Sequence, residues 1–178
     1  MDIAAEIASF DGKRTNVLEA LAERLSPDAR LVDTLCALAG DGDANIQSAA
    51  TWLLKRFQED GVSFSPDQVS ALLELLTRFT SWDAKLHLLQ MLPRFNIPED
   101  GSGQLLQVLK GDGYLAAPNN FVRAWSYNGL AELAEGDPTL REEVAALLAA
   151  AERDEVASVR ARIRNVVKEK PWVRLAAP

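Results

Sequence analysis

The chain has 178 residues, 48% hydrophobic and 25% charged, and its 19 Lys and Arg against 26 Asp and Glu leave a net charge of −7. One Cys (Cys36) and one His (His87) exclude a disulfide framework, a Cys-rich zinc site and a His-Glu-x-x-His metal motif. An acidic chain also lacks the surplus of Lys and Arg with which sequence-independent nucleic-acid binders neutralise phosphates.

The composition is that of a soluble globular protein, and the length predicts a single domain over 1–178. No apolar run approaches the roughly 18 residues of a membrane helix. The first residues, Met1 to Glu6, have no basic stretch and no long apolar core. With a lone Cys, this predicts a cytoplasmic protein without a membrane partner.

The elements follow in order. Ile3, Ile7 and Phe10, then Val17, Leu18, Leu21 and Leu25, predict a short helix and a longer one that cap the N-terminal end over 1–25. Four helical hairpins are predicted next, at 26–61, 65–97, 98–136 and 137–170, with a tail at 171–178. Three open on a polar residue followed by proline: Ser26-Pro27, Ser65-Pro66 and Asp137-Pro138. The polar residue can cap a helix, and proline is tolerated in its first turn. Ser65-Pro66-Asp67-Gln68 also fits a capping box. The apolar residues of these first helices are Leu31, Leu35 and Leu38; Val69, Leu72, Leu73 and Leu76; and Leu140, Val144, Leu147 and Leu148. In the third hairpin, Gly101-Ser102-Gly103 delays the first helix to Gln104–Leu109, and Gly111-Asp112-Gly113 ends it.

The second helices share one pattern. Taking Ile46, Ala84, Val122 and Val159 as position zero, the copies are spaced 38, 38 and 37 residues apart. Positions zero, four, seven, eight and eleven are apolar or small: Ile46, Ala50, Leu53, Leu54 and Phe57; Ala84, Leu88, Met91, Leu92 and Phe95; Val122, Ser126, Gly129, Leu130 and Leu133. The fourth copy has Val159, Ile163, Val166 and Val167 and breaks at Lys170. This is a helix with one buried stripe. Pro93 should end or kink the second copy. No segment alternates with period two long enough for a strand. Hairpins that cannot bury their stripes alone stack on their neighbours.

The segments Asp154-Glu155-Val156-Ala157-Ser158-Val159-Arg160 and Val122-Arg123-Ala124-Trp125-Ser126-Tyr127-Asn128-Gly129-Leu130 resemble bacterial-type HEAT repeats. That family places an acidic turn before the second helix, then Val-Arg, then small residues. Here Gln47 and Lys85 stand in the first two copies where Arg is usual. The resemblance covers about residues 26–170. It implies an all-α, right-handed α-solenoid of about four HEAT-like hairpins, with the second helices lining a concave face. It says little of function, since such folds serve many tasks.

At 100° per residue, positions two, five, six and nine point away from the buried stripe. The candidate groove is therefore Ser48, Thr51, Trp52 and Lys55; Leu86, Leu89, Gln90 and Pro93; Ala124, Tyr127, Asn128 and Ala131; and Ala161, Arg164, Asn165 and Lys168. Trp52, Leu86, Leu89, Gln90, Tyr127 and Asn128 make it more apolar and aromatic than a solvated face, as a protein-recognition surface requires. Trp125 and His87, both at position three, fit packing at the stripe's edge. Cys36 fits a small buried hydrophobe. Trp82 fits a staple at the start of its helix, and Trp172 either covers the end of the array or extends it to another chain.

Charge is uneven. Residues 156–178 carry six basic residues and one acidic, net +5, whereas 1–155 carry 13 basic and 25 acidic, net −12. The basic residues solvate the terminal helix and complement its dipole, or Arg160, Arg164 and Lys168 form a docking patch for an acidic partner or a phosphate backbone. No phosphate loop, nucleophile elbow or metal motif is present, and no cofactor is expected. The leading expectation is a non-enzymatic adaptor or scaffold holding a protein or peptide. The resemblance extends to HEAT-like DNA alkylation-repair glycosylases, whose grooves carry aromatic and basic residues with a catalytic acid. It extends also to HEAT-like bilin lyases. The predicted groove has no Asp or Glu, and an acidic body disfavours nucleic acid. The apolar tail Pro171-Trp172-Val173-Leu175 is surface a homodimer would use.

Overall fold

A computed structural model describes residues 2–97 and 99–176. Among them the secondary structure is eleven α-helices and two 3-10 turns, without a strand. The helices belong to two compact units, residues 1–91 and 92–178. The division falls inside the second predicted hairpin, 65–97. Pro98, the first residue of the third predicted hairpin, and Ala177 and Pro178 of the predicted tail lie outside the described residues.

The first unit opens with α1 (Ile3–Ala8) and α2 (Thr15–Arg24), both packed on α4 (Ala44–Glu59). They bury Ile7, Phe10, Leu18 and Leu21, while Val17 stays exposed. Next, α3 (Ala29–Ala39) packs along α4 and beside α5 (Pro66–Leu75), and α4 packs along α6 (Trp82–Met91). Asp28, not Ser26, caps α3, its carboxylate accepting from the Leu31 N–H at 2.8 Å. A carboxylate at that point reaches the third N–H of the helix, and Pro27 is left outside the first turn. The capping box at Ser65 is present with both of its hydrogen bonds. At the far end of α4, Gly61 takes φ +96°, and the Val62 N–H donates to the Phe57 carbonyl at 2.9 Å. This left-handed closure favours glycine.

The second unit begins with a 3-10 turn at Leu92–Arg94. Pro93 thus limits the preceding α-helix to Met91, since its ring clashes with the carbonyl one turn back. Then come α7 (Glu99–Lys110), α8 (Asn120–Gly136), a 3-10 turn at Pro138–Leu140 started by Asp137, α9 (Arg141–Asp154), α10 (Ala157–Glu169) and α11 (Trp172–Ala176). Contrary to the expected start at Gln104, α7 runs through Gly101 and Gly103. Two glycines cost a helix about 1 kcal/mol each. Burial of Leu105, Leu106 and Leu109 on the same helix offsets that. The centre of the unit is α8, with α7, α9 and α10 all packed on it.

The predicted stripes are where the cores form. Ala50, Leu53, Leu54 and Phe57, then Ala84, Leu88 and Met91, are buried in the first unit; Val122, Ser126, Gly129, Leu130 and Leu133, then Val159, Ile163 and Val166, are buried in the second. Each large aliphatic side chain so removed from water contributes about 1.5–3 kcal/mol.

A second set of bonds sets how neighbouring helices register. Gln47 is 4% exposed. Its Nε2 donates to the Asp41 carbonyl at 2.7 Å, in the turn before its own helix. Its Oε1 accepts from the backbone N–H groups of Thr80 and Ser81 at 3.1 and 3.2 Å, in the turn before α6. In the other unit Arg123, at the same pattern position, does the equivalent with charge. Its Nη1 donates to the Ala117 carbonyl, six residues back, at 2.7 Å. Its Nε and Nη2 donate to the two Glu155 oxygens, just before α10, at 3.2 and 3.3 Å. Start is thereby tied to start, so α4 runs parallel to α6, and α8 to α10. Farther along, Gln58 Nε2 donates to the Met91 carbonyl at 3.3 Å, and the Arg162 guanidinium lies 4.0 Å from the Trp125 ring centroid. Trp125 thus packs between neighbouring second helices, as its edge position implied.

The C-terminal segment folds back on the second unit. Lys170 Nζ is 3.0 Å from a Glu132 oxygen, and Trp172 Nε1 donates to Glu135. Trp172 and Val173 are buried as α11 packs on α9. Neither is therefore free to reach another chain, and the Leu175 side chain lies outside the described residues.

Removing either clamp should cost more than a surface change. Gln47→Ala should lower stability by about 2–4 kcal/mol, through backbone groups left unsatisfied and a small cavity. Arg123→Ala should cost about 3 kcal/mol, because Glu155 stays half-buried without its cation. The double variant Arg123→Gln/Glu155→Gln, which leaves no stranded charge, should lose less than Arg123→Ala. Urea denaturation measures all three.

Candidate functional site

The groove expected on the second helices is mostly covered. Leu89, Tyr127 and Asn128 are 0%, 8% and 4% exposed, so they offer little to a partner. Trp52, Leu86 and Gln90 are half-buried. Ser48, Thr51, Ala124 and Ala131, also expected to point outward, are buried too. The angular arithmetic was sound for one helix, but it omitted the next one. Positions two, five and six of α4 and α8 are covered, fully or in part, where the following second helix packs alongside, α6 on α4 and α10 on α8; this does not account for Leu89 of α6. The exception is α10 itself, where Ala161, Arg164, Asn165 and Lys168 are all exposed.

The contacts across these seams are chemical as well as apolar. His87 Nδ1 lies 3.0 Å from Thr51 Oγ1, and that hydroxyl donates to the Gln47 carbonyl at 2.8 Å. Burial, with the Lys55 charge adding to it, pushes the His87 pKa down to about 4. A neutral, hydrogen-bonded ring is structural, as its place at the stripe's edge implied. The Tyr127 hydroxyl is pushed up by burial first and by the Glu155 charge second. Cys36 is half-buried, and burial together with the Asp33 charge raises its thiol to about 11. At neutral pH it is a thiol, not a nucleophile.

Of the basic residues singled out, Arg164 and Lys168 are exposed and Arg160 is half-buried. Arg164 and Lys168 line a recess of about 580 Å³ with Asn165, Glu152 and Arg174, the last contributed by α11. A larger groove, about 860 Å³, runs between α3 and α5, lined by Asp28, Asp33, Asp67, Glu74, Cys36 and Arg78. Sequence reasoning missed it by assigning recognition to the second helices alone. The available signal was the concentration of carboxylates on these first helices.

Sequence reasoning also missed where large apolar side chains meet water. They are Trp82, Phe121 and Val156, at 47%, 64% and 45% exposure, together with Val17. Trp82 is therefore not a buried staple. All but Val17 sit one to three residues ahead of position zero, at the start of α6, α8 and α10. In the second unit, Phe121 and Val156 flank the Arg123–Glu155 pair, which ties the starts of α8 and α10 together.

Among the described residues no group of three or more His, Cys, Asp and Glu side chains is arranged to hold a metal ion, and no helix is long and apolar enough to cross a membrane. No protein-family model matches the chain, and no curated protein sequence matches it.

His87 gives the first unit a pH signature. Its folded pKa lies below the ordinary 6.5, so the neutral ring's contribution is complete above pH 6.5 and is lost as pH falls toward 4. The loss should amount to about 3 kcal/mol, at 1.36 kcal/mol per pKa unit. In denaturation from pH 7 to pH 4, the stability advantage of the native chain over His87→Gln should shrink by about that amount. A constant difference across this range would show that the ring is not buried neutral.

Proposed function

We propose that the chain is a non-enzymatic binding module built as a HEAT-like α-solenoid of about four hairpins, an adaptor or scaffold for a protein or peptide. Recognition is assigned, in each unit by itself, to the leading edge of its second helices. What supports this reading is that exposed apolar side chains stand at the starts of three second helices: Trp82 opens α6, Phe121 lies in the first turn of α8, and Val156 immediately precedes α10. A single exposed hydrophobe is ordinary; here one stands at the start of each of three second helices, though at three different pattern positions. An aromatic ring beside a partly shielded ion pair is also the composition of an interface hot spot. The reading as a DNA alkylation-repair glycosylase loses Tyr127, which is buried and so does not line a groove.

Phe121→Ala should leave the thermal midpoint within about 2 °C of the native value, since its side chain is mostly exposed, and Trp82→Ala, about half covered, should lower it somewhat more. Phe121→Ala should weaken capture of a partner held by the second unit about tenfold or more, as loss of an aromatic anchor does, and Trp82→Ala tests the first unit in the same way. Val17→Ala, equally exposed but on α2, serves as control. Affinity capture from the source cells, with quantitative comparison of the retained proteins, reads the outcome. If both aromatic variants retain the same proteins as the control, the edge is not the binding surface.

A further inference from the structure

Within the second unit the same helix face occurs twice, once covered and once open. On α8, Arg123, Ala124 and Asn128 occupy positions one, two and six, and α10 packs on that helix. On α10, Arg160, Ala161 and Asn165 occupy the same three positions with the same residue types. Among the described residues no helix packs over Ala161 and Asn165, which are exposed, and α11 packs on α9; the Arg160 side chain is half-buried. At positions five and nine, Tyr127 and Ala131 of α8 are replaced by Arg164 and Lys168 on α10. A helix that only faced solvent would need the charges but not the retained face.

Arg160 distinguishes the two uses. In α8, Arg123 Nε donates to Glu155 in the acidic turn that leads into the next helix. In α10, Arg160 Nε is shut away from water and has no hydrogen-bond partner. A desolvated donor without an acceptor costs free energy, which favours the Arg160 side chain turning outward where a carboxylate is offered. Farther along α10, Arg164 and Lys168 are exposed and line a recess with Arg174, where Glu152 is the carboxylate among the lining residues.

We infer that the α10 face is an open stacking surface for a partner protein, taken up by a helix that starts with an acidic residue. Its leading carboxylate pairs with Arg160 as Glu155 pairs with Arg123, and further acidic side chains along it meet Arg164 and Lys168. A second copy of this chain docked α10 to α10 brings like charges together, which disfavours that occupant. The two surfaces meet at the start of α10, where Val156 lies one turn before Arg160, but the charged and the aromatic variants test them separately, so either assignment can fail without the other.

The probe is a synthetic alanine-based helical peptide with Glu at its N-cap and further Glu along one face, labelled for fluorescence anisotropy and titrated with the full chain. Binding should weaken with salt. Arg160→Gln should reduce affinity about tenfold or more, the loss expected for one partner of a shielded charge pair, with unchanged circular dichroism. Arg160→Lys should recover little of it, since one ammonium cannot make the two-point contact. Arg164→Glu, at an exposed position, should reduce affinity independently of any effect of Arg160 on folding. Val17→Ala, on α2, should bind the peptide like the native chain. The inference is overturned if Arg160→Gln binds with native affinity, or if a scrambled peptide of equal charge binds as tightly. Tighter binding of duplex DNA at physiological salt would also overturn it, as would a dimer of the chain alone that Arg164→Glu dissolves.

Discussion

The structure depends on one side chain at the second residue of the repeated pattern. A buried apolar stripe holds two helices together but does not say how far one slides along the other, because dispersion and hydrophobic contact are nearly non-directional. A hydrogen-bonding group that reaches both its own preceding turn and the turn before the next second helix removes that freedom. Gln47 does so with an amide and Arg123 with a guanidinium, each bonding to the carbonyl six residues back. The amide works because its partners ahead are two backbone N–H groups, which need only a neutral acceptor. The guanidinium needs a carboxylate, and Glu155 provides it. Clamp and turn are matched as a pair.

Once the register is set, the seams between second helices become the most constrained parts of each unit. Polar groups there are mostly buried and bonded across the seam, Gln58 Oε1 being buried without a partner. This is why Thr51 and His87 meet, and why Arg162 lies over Trp125. It also explains the neutral state of His87: a protonated ring in that seam would need water or an anion, and its charged neighbour is Lys55. Residues of catalytic type are here used to join helices.

The same rule accounts for where recognition is left over. Side chains inside a seam are committed to a neighbour, so free surface remains at the leading edges of the second helices and on the last of them. The edges carry Trp82, Phe121 and Val156; the last helix carries Arg164 and Lys168. The first surface is apolar and the second cationic, so they suit different partner chemistry. The net charge of −7 conceals this division, because a basic terminal segment is averaged with an acidic body.

Much of this was legible in the residues. Helical class, the buried stripes, the Ser65 capping box and the helix end at Pro93 all follow from local rules: period, cap chemistry and the missing proline N–H. The sequence also marked Gln47 as unusual, without showing that it bonds to Thr80 and Ser81, which lie 33 and 34 residues away. Exposure was not legible. Leu89, Tyr127 and Asn128 have the right angle to face outward and are buried, while Arg164 and Lys168 have the same angle and are open. A helical wheel describes one helix in water; whether a given face meets solvent depends on what packs beside it. That neighbour is chosen by contacts between segments distant in sequence, and only the tertiary structure decides it.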